Sequence, residues 1–135
     1  MDKGPISPNT HGAIEPLAAL IIALSPWIFG FSGNDTATTI AVIVGVAMLA
    51  GGMATQWRPS LVKLIPLRMH FAWDLLIAAV LILAPFVLGF NDDGGATRFF
   101  VIAGVLEALT ALSTRWSREE VDHQHSVQRG NTARA

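Results

Sequence analysis

The chain has no cysteine among its 135 residues, which excludes thiol catalysis, disulfide bonds and iron–sulfur ligation by this chain. Charge is almost as scarce: Asp, Glu, Lys and Arg make up 14% of the sequence and the net charge is −1. Nucleic-acid binding therefore has no basic patch to rest on. There is no glycine-rich phosphate loop. The residues of a Ser-His-acid triad are scattered along the chain, with nothing to bring them together. No catalytic residue and no cofactor is assigned on these grounds, and no enzymatic activity is expected.

What the chain has in quantity is apolar sequence. Hydrophobic residues account for 52% of it and the mean hydropathy is +0.49, well outside ordinary soluble usage. No charge interrupts the runs from Glu15 to Asp35, from Asp35 to Arg58, or from Asp74 to Asp92. As helices, at about 1.5 Å per residue, they cross or nearly cross a hydrocarbon core of about 30 Å. A fourth run, residues 99–114, is shorter and carries Glu107 in its middle, so Arg98 and Arg115 would have to snorkel. The expectation is an all-α membrane protein with four transmembrane helices. A signal peptide is the rival reading of the first run; a single lysine before it and the lack of a small-x-small cleavage site after Pro26 weigh against that.

An internal repeat decides the organisation. Sliding the chain by 59 positions aligns His11 with His70, Pro26 with Pro85, Gly30–Phe31 with Gly89–Phe90, Gly45 with Gly104 and Trp57 with Trp116, and sets Glu15 against Asp74. Paired His, Pro and Trp do not coincide by chance as apolar residues do. The chain reads as residues 1–11, a first helical hairpin over 12–57, a basic linker over 58–69, a second hairpin over 70–116, and a polar tail over 117–135. Two spans per unit make both copies enter from the same side, so the repeats are parallel. Of the basic residues only Arg98 falls on the side of the two short turns. The positive-inside rule thus places both termini and the linker in the cytoplasm.

Tryptophan placement is consistent with interfacial belts: Trp57, Trp73 and Trp116 toward the inner ends of the spans, Trp27, Phe31 and Phe90 toward the outer ends. The linker RPSLVKLIPLRM alternates basic and apolar residues, as a surface-lying segment with Leu61, Leu64, Ile65 and Leu67 in lipid would, or a plain covered loop. The tail, including His123 and His125, is expected to be disordered rather than metal-bound.

Each repeat places a proline in its first helix, Ser25–Pro26–Trp27 and Ala84–Pro85–Phe86, with glycine four residues later at Gly30 and Gly89. The prolines remove helical bonds to the carbonyls of Ile22 and Leu81, and the glycines favour termination. A freed carbonyl needs a partner in lipid, which Ser25 is placed to supply and Ala84 is not. This doubled motif, with Trp73–Asp74 opening the second unit, resembles the SPW repeat family of small bacterial and archaeal integral membrane proteins, over residues 11–116. The resemblance implies a two-helix hairpin repeat and a bacterial cytoplasmic-membrane address; it implies no biochemical activity.

Function must rest on the few polar residues in the spans. A charged carboxylate near the centre of a span costs about 2.5–3.5 kcal/mol on insertion scales, so Glu107 is expected to be protonated, paired or facing water. With Ala103, Thr110 and Thr114 it forms a candidate polar face at helical spacing. Its repeat counterpart is Met48, so it breaks the symmetry. His11 with Glu15, and His70 with Asp74, stand four apart and could converge as two imidazoles and two carboxylates, able to bind zinc or iron or to carry protons. The plainer reading is preferred: these residues cap and anchor helix starts, with Pro16 early in its helix, and hold no metal. Haem ligation is disfavoured because neither histidine lies deep in a span.

Two functional classes remain. One is a structural or accessory membrane module, its partners the bilayer and either further copies or a larger membrane complex, with small-residue faces such as Thr38, Ala41, Gly45 and Gly52 as packing surfaces. The alternative is a proton- or ion-coupled transporter or channel subunit using Glu107. No small-molecule substrate can be named, and the first class is preferred because a single four-helix unit fills its own core.

Overall fold

In the computed structural model, residues 4–116 and 118–134 are described, those of 118–125 by backbone only. The described residues form five helices: α1 (Pro8–Ile28), α2 (Asp35–Met53), α3 (Leu67–Val87), α4 (Gly94–Ser113) and α5 (Arg118–Arg134). The first four are long and apolar enough to cross a membrane, and no strand occurs among the described residues. Helix α1 starts where Ser7 accepts the N–H of Thr10 and Pro8 takes the first helical position, which needs no N–H partner. Equivalent caps open α2 and α4, where Asn34 accepts from Ala37 and Asp93 from Ala96.

The proline–glycine motifs end α1 and α3 as their spacing predicts. Gly30 (φ 78°) and Gly89 (φ 75°) are left-handed, and Phe31 and Phe90 donate back to the carbonyls of Pro26 and Pro85 at 2.9 Å. This is a C-terminal cap that a residue with a Cβ adopts only with strain. Ser25 donates its hydroxyl proton to the carbonyl of Ile22 at 2.7 Å, giving the group stripped by Pro26 a local partner.

The helices pack as two antiparallel pairs, α1 with α2 and α3 with α4, related by a pseudo-two-fold axis along the bundle. Repeat counterparts meet on that axis at both ends: Asn34 donates to Asp93 at 3.2 Å at the turn end, while the rings of His11 and His70 lie 5.9 Å apart at the other. The lead-in to each repeat closes the end of the opposite pair. Ile6 donates to the carbonyl of Ser113 and accepts from Arg115; Ile65 likewise donates to Ala54 and accepts from Gln56.

In each pair a glycine lets the two backbones approach closely. A Cβ at Gly45 would fall 2.7 Å from the carbonyl oxygen of Ala19, and one at Gly104 would fall 2.8 Å from that of Ala78. The obstacle is backbone, which cannot swing aside. Gly45→Ala and Gly104→Ala should each cost about 1–3 kcal/mol as overpacking, read as a shift in denaturant-induced loss of helix; no shift would mean that the pairs are looser than described. Gly45 and Gly52 thus serve contacts inside this chain, since Gly52 faces the Glu15 carboxyl.

Two expectations change. Leu61 and Leu64 of the linker are exposed as a surface-lying segment requires, but Leu67 is buried as the first residue of α3. The tail expected to lack order is helical over Arg118–Arg134; it contains no proline and is rich in Arg, Glu and Gln, which favour helix without any apolar face. The side chains of His123 and His125 lie outside the described residues.

Candidate functional site

Helices α1 and α3 bring His11, Glu15, His70 and Asp74 together at the end of the bundle opposite the short turns. All four are buried, at 2%, 3%, 0% and 1% exposure, so this is part of the core and not a solvated cap. His11 Nε2 stands 3.7 Å from Glu15 Oε2 and 3.3 Å from Asp74 Oδ2; His70 Nε2 stands 3.0 Å from both Glu15 Oε2 and Asp74 Oδ1. Each imidazole thus faces the carboxylates of both repeats. One ligating atom from each residue lies within 4.8 Å of the others.

Contrary to the helix-start reading, these residues do not cap their helices. Capping of α1 falls to Ser7 and Pro8, α1 has no acid in its first turn, and Pro16 sits inside the helix. With α1 beginning at Pro8, His11 closes its first turn and Glu15 its second, both on the buried face of the helix.

The outer nitrogens of the two histidines are fixed by a swap between repeats. His11 Nδ1 lies 2.8 Å from Thr114 Oγ1 and His70 Nδ1 lies 2.7 Å from Thr55 Oγ1. Each threonine spends its only proton on the carbonyl four residues back, Thr110 and Gly51 respectively, at 2.7 Å. The hydroxyls can therefore only accept, so both imidazoles carry Nδ1–H and present Nε2 to the carboxylates. The sequence reading missed Thr55 in this role, although Thr55 and Thr114 are identical at the repeat spacing. That identity was the available signal.

Trp57 and Trp116 close the end of the cluster. They are 1% and 3% exposed, which overturns their assignment to an interfacial belt. Their indole N–H groups donate to the carbonyls of Gly52 at 2.8 Å and Ala111 at 2.7 Å. The Trp57 ring lies 4.3 Å from His70 and the Trp116 ring 5.1 Å from His11. A buried indole needs a partner for its N–H, and the second lone pair of a last-turn carbonyl supplies one. Phe31 and Phe90 are also buried, against Phe100, rather than at a lipid interface. Trp27 is exposed, as a belt residue would be.

Glu107 sits apart from the axis. It is buried on the floor of a lateral groove of about 650 Å³ between α1 and α4, lined among others by Ala18, Ile21, Phe99, Leu106 and Thr110. Oε1 has no hydrogen-bond partner, and the carboxyl is in electrostatic reach of Asp74 and Glu15. Its counterpart Met48 is packed in the core, so the groove is where the two-fold fails. Of the polar face expected with Glu107, Thr110 lines the groove and donates to the carbonyl of Leu106. Thr114 does not belong to it: α4 ends at Ser113, and the extended backbone at Thr114 (ψ 142°) places its hydroxyl at His11.

Four apolar spans around a buried polar cluster define a small helical integral membrane protein built from a duplicated hairpin. The chain belongs to the SPW repeat family, whose domain model matches residues 9–114. No curated protein and no solved structure matches it.

Proposed function

We propose that this protein is a structural or accessory module of the cytoplasmic membrane, without catalysis of its own, that assembles with further copies or with a larger membrane complex. The observation that carries this reading is the filled core. Ala19, Ile22, Val44, Met48, Ile77, Leu81 and Phe100 form one apolar cluster along the bundle, and the two tryptophans close the end with the polar cluster. A unit packed in this way favours a fixed building block over a pore. Both termini face the cytoplasm in this reading, since the basic residues gather at their end.

Glu107 is the residue through which assembly would run, because a buried carboxyl with an unpartnered oxygen gains a hydrogen bond when a polar neighbour arrives. Native mass measurement with lipids retained is expected to show discrete multiples of the chain or a co-purifying complex, and Glu107→Gln is expected to weaken it. A strictly monomeric wild type without companions would sink the proposal.

A second reading has one observation behind it, the electrostatic proximity of Glu107 to the Glu15–Asp74 pair. It makes the groove and cluster a proton or ion path. It requires a flux in liposomes that Glu107→Gln abolishes; an unchanged flux would remove Glu107 from any such path.

A further inference from the structure

We propose that His11, Glu15, His70 and Asp74 form a binding site for one divalent first-row transition-metal ion, zinc or ferrous iron, on the pseudo-two-fold axis. This goes beyond the assembly reading and does not depend on it.

Four lines converge. The first is distance. Ligands about 2.0–2.1 Å from a tetrahedral ion stand roughly 3.3–3.4 Å from one another; the four imidazole–carboxylate separations are 3.0, 3.0, 3.3 and 3.7 Å, and the full set, within 4.8 Å, closes slightly as the ion is taken up. Asp74 offers one oxygen to each histidine, so it can bind through either or both.

The second is direction. His70 Nε2, both oxygens of Glu15 and Asp74 Oδ2 are buried without an aligned hydrogen bond, although oxygens and nitrogen lie close together. At 3.0 Å these atoms are near enough to hydrogen-bond yet do not align to do so, while one ligating atom from each residue lies within 4.8 Å of the others. Buried polar atoms without aligned partners are uncommon in a packed core and need an explanation.

The third is the outer shell. Metal-bound histidines almost always donate their second ring N–H to an acceptor that fixes tautomer and orientation. Thr114 and Thr55 do this for His11 and His70, and their own protons are tied to backbone carbonyls. The ring nitrogen left for a metal is Nε2 in both cases, the one that faces the carboxylates.

The fourth is charge. Two carboxylates with two neutral imidazoles are balanced by one divalent cation, which leaves no net charge in a site buried among apolar helices. Mixed imidazole and carboxylate donors suit zinc or iron better than calcium or magnesium, which prefer oxygen alone. The ion would tie α1 to α3 and so hold the two hairpins together at this end.

The test uses the full chain without a histidine tag, in lipid nanodiscs, stripped with a chelator, loaded with Zn²⁺ and passed over a gel-filtration column before elemental analysis. About one zinc per chain is expected, and Co²⁺ in its place should give the intense visible bands of a four-coordinate ion. Glu15→Gln and His70→Ala should each lose the metal. Thr55→Val and Thr114→Val, which keep shape but remove the acceptor, should each weaken zinc binding roughly 10–100-fold. A joint His123→Ala and His125→Ala substitution in the tail should change nothing. Wild-type chain of native helix content that retains no zinc and gives no cobalt bands overturns the proposal, and this needs no variant to fold. Zinc retained in full by His70→Ala, or lost with the tail histidines, overturns it equally.

Discussion

Asp74→Ala is expected to destabilise the four-helix unit by about 3–5 kcal/mol, the largest loss foreseen for a single polar substitution here. Asp74 is 1% exposed and its two oxygens face both histidines. Removing it leaves the Nε2 atoms of His11 and His70 with Glu15 as their one carboxylate neighbour and opens a gap on the axis where the repeats meet. The measurement is unfolding in mixed micelles followed by helix content, with Leu83→Ala on the exposed face of α3 as a reference expected to change little. Replacing all four cluster residues by leucine should recover much of the loss, because a buried polar set exchanged for apolar groups of similar volume is often neutral. A small effect of Asp74→Ala alone would falsify the view that the cluster holds the hairpins together. Recovery in the fourfold variant would show that stability does not explain why a polar set occupies this position.

Trp57→Ala should cost a similar amount, about 3–5 kcal/mol, as expected for truncating a large buried aromatic. Its indole packs on His70, and a Cβ at Gly12 would fall 2.7 Å from the same ring, so the pocket is cut to the indole and cannot collapse easily around alanine. The interfacial-belt reading predicts little change on the same substitution, because a belt residue has lipid and water on one side. Comparison with Trp27→Ala, at an exposed position, separates the two. Equal, small effects at both positions would restore the belt.

Much of the architecture could be read without coordinates. Apolar runs long enough to cross a bilayer, the 59-residue repeat, and Pro26 with Gly30 and Pro85 with Gly89 are local or periodic features. The bond losses and cap geometry they impose act within a few residues of themselves. The convergence of His11, Glu15, His70 and Asp74 was also visible as a possibility, because two pairs at helical spacing related by a two-fold must share an end.

Tertiary structure alone decided how those residues are used. Burial of Trp57 and Trp116 depends on the chain turning back over the helix ends, where Ile6 and Ile65 pair with Ser113–Arg115 and Ala54–Gln56; hydropathy does not distinguish an indole facing lipid from one facing a core. The crossing of Thr55 to His70 and Thr114 to His11 joins residues of opposite repeats, and no local propensity encodes it. The lateral position of Glu107 follows from how far α1 and α4 separate, a packing outcome set by side-chain volumes on both helices. Composition and period determine that this chain enters the membrane as two like hairpins. The long-range contacts between them determine that its polar residues form one closed site on the axis and one open groove beside it.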